Sequence, residues 1–268
     1  MSLISLESVD EHTVLFESAA VSHIGCVRDT NEDAVLLDDD TKFWVVADGM
    51  GGHASGQVAA NLAVESIADY MRRWRLEDEA KQPFDRPANM TRAEASVSNA
   101  IRVANVRVYN RSQSDLDCEG MGTTVVLMHH CPEEGLAIGH VGDSRCYRLR
   151  DGQFERLTED HSLAGELTRS KLITEQEAKL HAGSNVILRA LGMDDDVQVD
   201  VILVSPRRGD EYLMCSDGLT DLLHDHEIGE IVQDRDLDLE QSVQALIDEA
   251  NARGGNDNIT AALVRVTN

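Results

Sequence analysis

Four aspartate-bearing turns, each abutting a short apolar run, constrain this chain more than any other feature. The first is Asp48-Gly49-Met50-Gly51-Gly52-His53, which directly follows Phe43-Trp44-Val45-Val46-Ala47. Far downstream come Gly142-Asp143-Ser144-Arg145, Ser216-Asp217-Gly218 and Asn256-Asp257-Asn258. The neighbouring runs read as buried strands, so the carboxylates sit on strand ends. Oxygen ligands carried on tight turns can converge on one point, and such a set selects Mg2+ or Mn2+. The chain reads as built around a multi-metal carboxylate site.

Neighbouring residues sharpen this reading. Gly49 leaves room for a cation to reach a backbone carbonyl, and Gly51-Gly52 permits a close turn into the next helix. Arg28-Asp29-Thr30-Asn31-Glu32-Asp33 joins a guanidinium, the group that grips phosphate bidentately, to acidic residues. Glu32 and Asp33 are suited to bind a metal or to orient its waters. Taken singly, that loop reads as a solvated polar loop, and each Asp is more often a turn residue than a ligand. Four Asp turns with an arginine in one acidic chain favour a coordinated site.

The net charge of −25 over 268 residues excludes the basic footprint of a nucleic-acid binder and disfavours docking on an anionic membrane. Most of that charge is read as solvated surface. Five cysteines (26, 118, 131, 146 and 215) are widely spaced, with no Cys-x-x-Cys pair. They fit reduced thiols in a cytoplasmic protein. No signal peptide and no membrane-length apolar run is evident, so no membrane insertion is expected.

Periodicity predicts a strand over residues 13–24, a hairpin of 34–37 and 43–47, and a helix from Ser55 to Trp74 with Val58, Leu62, Ile67, Met71 and Trp74 on one face. Residues 76–90 read as a loop. Thr91-Arg92-Ala93-Glu94 is a capping box opening a second long helix, antiparallel to the first. Strands follow at 123–129, 136–141 and 145–149, with an Asp151-Gly152 hairpin into 154–157. A charged helical stretch covers 162–181, with Thr174 as N-cap and Glu177 at the third position. Strands at 197–204 and 212–215, a helix at 239–253 and a strand at 259–266 complete the order. This order fits two packed antiparallel sheets with helices outside them, an α+β sandwich.

Other chemistries fail on the residues. Asp38-Asp39-Asp40 lacks the continuation of an EF-hand loop. No cysteine has an Arg six residues on, so a Cys-dependent phosphatase is disfavoured. A Gly-x-x-x-x-Gly-Lys phosphate loop is missing. His53, His140 and His161 show no zinc-ligand spacing and read as hydrogen-bonding or surface residues.

The ordered set Arg28, Asn31-Glu32-Asp33, Val46-Ala47-Asp48-Gly49-Met50-Gly51-Gly52-His53, Gly120-Met121-Gly122-Thr123-Thr124, Gly142-Asp143-Ser144-Arg145, Leu157-Thr158-Glu159-Asp160-His161-Ser162, Arg189-Ala190-Leu191-Gly192, Ser216-Asp217-Gly218 and Asn256-Asp257-Asn258-Ile259-Thr260 resembles the bacterial metal-dependent protein phosphatases of type 2C. The likeness spans roughly residues 18–267. It implies a four-layer αββα sandwich forming a single domain over 1–268, with a flap near 162–195. It implies that Asp48 bridges two Mn2+ or Mg2+ ions, that the Gly49 carbonyl, Asp217 and Asp257 complete their ligands, and that Asp143 with Asp217 holds a third. Glu32 and Asp33 would order metal-bound waters, and Arg28 would hold the substrate phosphate. The implied reaction is hydrolysis of phosphoserine or phosphothreonine on proteins, by in-line attack of a metal-bridging hydroxide. Phosphorylated proteins would be the substrates, and a Ser/Thr kinase the opposed partner in signalling. A regulatory pseudophosphatase that only binds phosphopeptides is the alternative, disfavoured by the intact acidic set. One departure concerns the proton donor: some eukaryotic members carry His where this chain has Met50, which leaves the general acid unassigned.

Overall fold

The computed structural model describes residues 14–51, 55–74, 83–174, 177, 183 and 186–268. Strands β1 (Phe16–His23), β11 (Ile259–Val266), β10 (Glu211–Cys215), β7 (Arg145–Arg150) and β8 (Gln153–Arg156) form one antiparallel sheet in that order. The second runs β2 (Asp33–Asp38), β3 (Phe43–Met50), β5 (Val125–Cys131), β6 (Gly135–Val141) and β9 (Asp200–Val204), with β4 (Gly122–Thr123) paired to the end of β3. Helices α1 (Ser55–Trp74) and α2 (Arg92–Ser114) cover the second sheet, and α4 (Asp217–Thr220), α5 (Asp225–Gln233) and α6 (Leu239–Ala252) contribute to the layer outside the first.

Side-chain alternation along the strands builds this four-layer αββα arrangement. Phe43, Val45 and Ala47 of β3 pack under α1 and α2, whereas Trp44 and Val46 enter the layer between the sheets. Met214, Tyr212, Ala262 and Val264 meet them from the other sheet. Leu213, Cys215, Ala261 and Leu263 face the opposite way, towards Leu246 and Ile247 of α6. Both faces of these strands are buried, which is why β3 reads as a continuous apolar run.

The helices refine the expected faces. On α1 the buried stripe is Ala59, Ala60, Ala63, Val64, Ile67 and Met71, while Val58, expected inside, is 39% exposed. Small alanines let this helix lie close on the sheet. The capping box at Thr91 is present, and Arg92 stacks over the Trp74 ring, so the end of α1 meets the start of α2 in the expected antiparallel sense. Between 162 and 181 the helix is shorter than expected: α3 (Leu163–Arg169) closes at Ser170. Thr174 and Glu177 do exchange the reciprocal capping bonds. The stretch beyond them, like His53 and part of the 76–90 loop, lies outside the described residues. The strand expected from 197 starts at Asp200, because β6 pairs only as far as His140 before turning away at Gly142. Helix α5 was not anticipated. No helix among the described residues is long and apolar enough to cross a membrane.

His130 on β5 shows what this core costs an ionisable group. It is buried 4.9 Å from the Phe16 ring, and its Nδ1 has no partner. Burial, helped by Lys42, pushes its pKa down to about 4. The unfolded chain takes up this proton near pH 6.5 and the folded chain does not, so its contribution to stability is complete above that pH and lost as pH falls towards 4. His130→Phe should therefore flatten the stability profile between pH 6.5 and 4.5, by up to about 1.4 kcal/mol per pH unit. Urea unfolding of both proteins across that range measures the difference.

Candidate active site

All four aspartate turns come to one end of the sandwich, at the seam between its sheets. Asp48 at the end of β3 and Asp143 after β6 belong to the six-stranded sheet, and Asp217 after β10 and Asp257 before β11 belong to the other. Asp33 opens β2 directly opposite Asp48. The Asp48 and Asp217 carboxyls lie close enough to act on each other's titration.

Each turn is held by neighbours that the motifs supply. The Asp48 carbonyl accepts the Thr124 amide (2.8 Å) and the Thr123 hydroxyl (2.9 Å), and its N–H donates to Thr124 Oγ1 at 3.1 Å. The Thr124 hydroxyl also lies 2.7 Å from that of Ser144, tying the Asp48 turn to the Asp143 turn. Asn258 organises the Arg28–Glu32 loop: its Nδ2 donates to the carbonyls of Ile24 and Thr30, each at 2.9 Å, and its Oδ1 accepts the Glu32 amide at 2.8 Å. Asp33 Oδ2 accepts the hydroxyls of Ser216 (2.8 Å) and Thr260 (2.7 Å). Close backbone approach fixes two glycines. A Cβ on Gly49 would lie 2.1 Å from the Gly56 carbonyl oxygen, and one on Gly218 would lie 2.0 Å from that of Asn258.

Gathering these acids together is electrostatically expensive. Burial, then Asp33, Asp217 and Asp143, pushes the Asp48 carboxyl well above its ordinary range. Burial, then Asp143, Asp221 and Asp257, does the same to Asp217. Asp33 and Asp143 are pushed up to about 6, in each case mainly by burial. Glu32 is raised, again chiefly by burial. One oxygen on each of Asp33 and Asp143 is buried with no hydrogen-bond partner. Arg145, two residues after Asp143, relieves that carboxyl only in part, because its guanidinium forks onto Asp160 at 2.7–3.2 Å. Buried anions without a counter-charge are strongly disfavoured. The donor set is therefore that of a hard divalent cation site, with oxygen atoms only.

Sequence reasoning placed Arg28, Glu32, Asp33, Asp48, Gly49, Asp143, Asp217 and Asp257 in one site, and the structure brings them together. It adds a contact that was not expected: Arg28 Nη2 donates to Asp257 Oδ2 at 2.6 Å, joining the phosphate and metal candidates. It also adds Asp221, one helical turn beyond Asp217 and close enough to raise it. The i, i+4 spacing of two acids around a short helix was the available signal. His140 and His161, separate in sequence, stack with ring centroids 4.6 Å apart. With Asp200 they offer ligand atoms within 4.8 Å of one another. Arg189, however, donates to Asp200 at 2.8 Å, and the Gly142 amide occupies His161 Nδ1. This cluster is a hydrogen-bonded network, in line with the role expected of those histidines.

Asp48→Asn should stabilise the EDTA-treated protein, on the order of 1 kcal/mol, by removing one member of the buried acidic set. Thermal unfolding in EDTA at pH 7.5 reads this out. A lower midpoint than wild type would show that repulsion does not dominate at the seam.

Residues 22–264 match the family described as protein phosphatase 2C. The serine/threonine phosphatase stp of Listeria monocytogenes serotype 4b is 37% identical over 245 residues, covering 90% of this chain and 92% of that protein. The crystal structure of the Mycobacterium tuberculosis serine/threonine phosphatase PstP/Ppp superposes with a TM-score of 0.82 at 33% identity, covering 96% of this chain and all of that one. A structure of the PstP catalytic domain in complex with two manganese ions gives a TM-score of 0.79 with the same identity and coverage. Buried apolar strands ending in convergent carboxylates, and a family match running almost from end to end, have one explanation: the chain belongs to the protein phosphatase 2C family.

Proposed function

We propose that this protein-serine/threonine phosphatase works through two or three Mn2+ or Mg2+ ions held by Asp48, the Gly49 carbonyl, Asp143, Asp217 and Asp257. The observation that carries the assignment is the convergence of raised, buried carboxylates, two of them with an unpartnered oxygen. The manganese ions in the PstP catalytic domain support the choice of metal. When bound, such ions act as Lewis acids that activate water for in-line attack on phosphorus and neutralise charge on the phosphoryl oxygens.

The chain's own residues do the rest. Arg28 is about half exposed, with one guanidinium nitrogen on Asp257, which leaves N–H groups for a phosphate dianion. Glu32 and Asp33 orient water at the cluster edge, Asp33 from a position fixed by Ser216 and Thr260. Cys215, two residues before Asp217, does not compete as nucleophile: it is buried and pushed up to about 12. Met50 donates no proton, so the leaving oxygen is protonated by another group. The whole chain serves as one phosphatase domain with residues 162–195 as its flap. That segment returns to the site through Leu188, whose amide donates to the His161 carbonyl, and through paired bonds of Leu191 with Thr123. The substrates are phosphoserine and phosphothreonine proteins in the cytoplasm, where five free thiols are at home, with a Ser/Thr kinase as the opposed partner. Nothing favours a non-hydrolysing phosphopeptide binder.

Activity on a phosphothreonine peptide should vanish in EDTA and return with Mn2+, and full activity in EDTA after dialysis would overturn the metal reading. Asp48→Ala and Asp257→Ala should each lose most of kcat, by ~10²-fold or more, while folding normally, since they dismantle activation of the nucleophile and not substrate capture. Near-wild-type kcat at saturating Mn2+ in either variant would refute its role.

Arg28→Ala should raise KM and lower kcat, with Lys rescuing only in part because a point charge lacks the planar fork. Steady-state kinetics on one phosphopeptide compare the three proteins. Unchanged constants in Arg28→Ala would remove it from the phosphate site.

A further inference from the structure

The backbone just before Asp143 is gripped by one residue, through its amide and its ring, that the reaction scheme does not use. Gly142 holds φ = 105°, in the left-handed region, and a Cβ there would lie 2.6 Å from the Thr124 side chain. A glycine in this region is free to turn, and each turn would swing the carboxylate that follows. His161 takes both of its peptide groups. The His161 amide donates to the Gly142 carbonyl at 2.9 Å, and the Gly142 amide donates to His161 Nδ1 at 3.1 Å.

The ring is locked in turn. Because Nδ1 accepts, the neutral imidazole carries its proton on Nε2, which faces Asp200 Oδ2 at 3.2 Å. Asp200 Oδ1 accepts from Arg189 Nη1 at 2.8 Å, and the same nitrogen donates to the Gln198 carbonyl at 3.1 Å. His140 stacks on the ring's face, its own Nε2 bonded to the Glu159 carbonyl at 2.9 Å. Burial, with His140 and Arg189 nearby, keeps His161 neutral by pushing its pKa down to about 4.

We propose that His161 is the positioning residue of the Asp143 turn, setting cation affinity there through its Nδ1 grip on Gly142, and that Arg189 links the flap to that turn through Asp200 and His161. The inference rests on the reading of Asp143 as a metal ligand. Partners that orient a ligand in this way typically change metal affinity by ~10- to 100-fold when lost.

The test is a calorimetric Mn2+ titration of the full chain, which reads binding and not turnover. Asp143→Asn identifies the step that belongs to Asp143. His161→Gln keeps a donor towards Asp200 but loses the Nδ1 acceptor, and should weaken that step by ~10-fold or more. His161→Asn keeps an acceptor at the Nδ1 position and should stay within about threefold of wild type. Asp200→Ala, which leaves the buried ring untouched, should weaken the same step severalfold, and it decides the matter if His161→Gln does not fold. Wild-type affinity in His161→Gln or in Asp200→Ala overturns the inference. Equal weakening in His161→Gln and His161→Asn overturns it too, because the ring's bulk and not its acceptor would then matter. If Asp143→Asn loses no step, the ligand reading falls and this inference with it. If Asp143→Asn loses a step that His161→Gln keeps, only this inference falls.

Discussion

The structure depends on one unfavourable fact: carboxylates from two sheets are pressed together, Asp33 and Asp143 buried and Asp48 and Asp217 half-buried. Asp33, Asp48, Asp143 and Asp217 cannot all be charged there without a counter-ion, and their raised pKa values express that conflict. A protein assembled for stability alone would have placed apolar or neutral residues at the seam. In the proposed role, divalent cations would turn this repulsion into binding energy, so the misfit of the apo chain and its capacity for catalysis would share one origin.

The scaffold holds the conflict in place with neutral donors. Threonine and serine hydroxyls, backbone amides and Asn258 take up the lone pairs facing away from the cluster, as at Asp33 Oδ2 and the Asp48 carbonyl. The one nearby guanidinium buried deeply enough to quench the charge, Arg145, is drawn off by Asp160 and by Asp225 on α5. Negative potential is thus preserved at the centre and compensated at its edge. That distribution fits the roles proposed for the cluster, in drawing cations, and for Arg28, in meeting a phosphate.

What was legible in the sequence was what neighbours in the chain decide. The β3 run with Asp48 behind it, the Thr91 cap and the Asp151-Gly152 hairpin follow from local chemistry, and each stands where expected. Reading α1 by its largest side chains picked Val58, whereas close packing on the sheet selected alanines. Helix α5 escaped notice because His224, not a Ser, Thr, Asp or Asn, stands at its N-cap. Contacts between residues far apart in the chain, Arg28 with Asp257 and His161 with Gly142, left no periodic trace. The candidate residues were readable because they sit in motifs. Their mutual geometry was not, because it is created by the docking of two sheets.

The strand order has a consequence for how the molecule comes into being. β11 lies in the interior of its sheet, between β1 and β10, yet it follows every other described strand in the chain. Strands β2, β3, β5, β6 and β9 can pair beforehand, burying Phe43 and Val45 under α1 and α2. In the opposite sheet β7, β8 and β10 can also pair, but β1 stays unpaired until β11 follows, more than two hundred residues later. Asp257 and Asn258 arrive with that final strand, and Asn258 then ties down the loop bearing Arg28 and Glu32. A chain without β11 therefore keeps Asp48, Asp143 and Asp217 but lacks Asp257 and the Asn258 that organises the arginine loop. The geometry of the acidic cluster thus depends on β11 docking between its two neighbours.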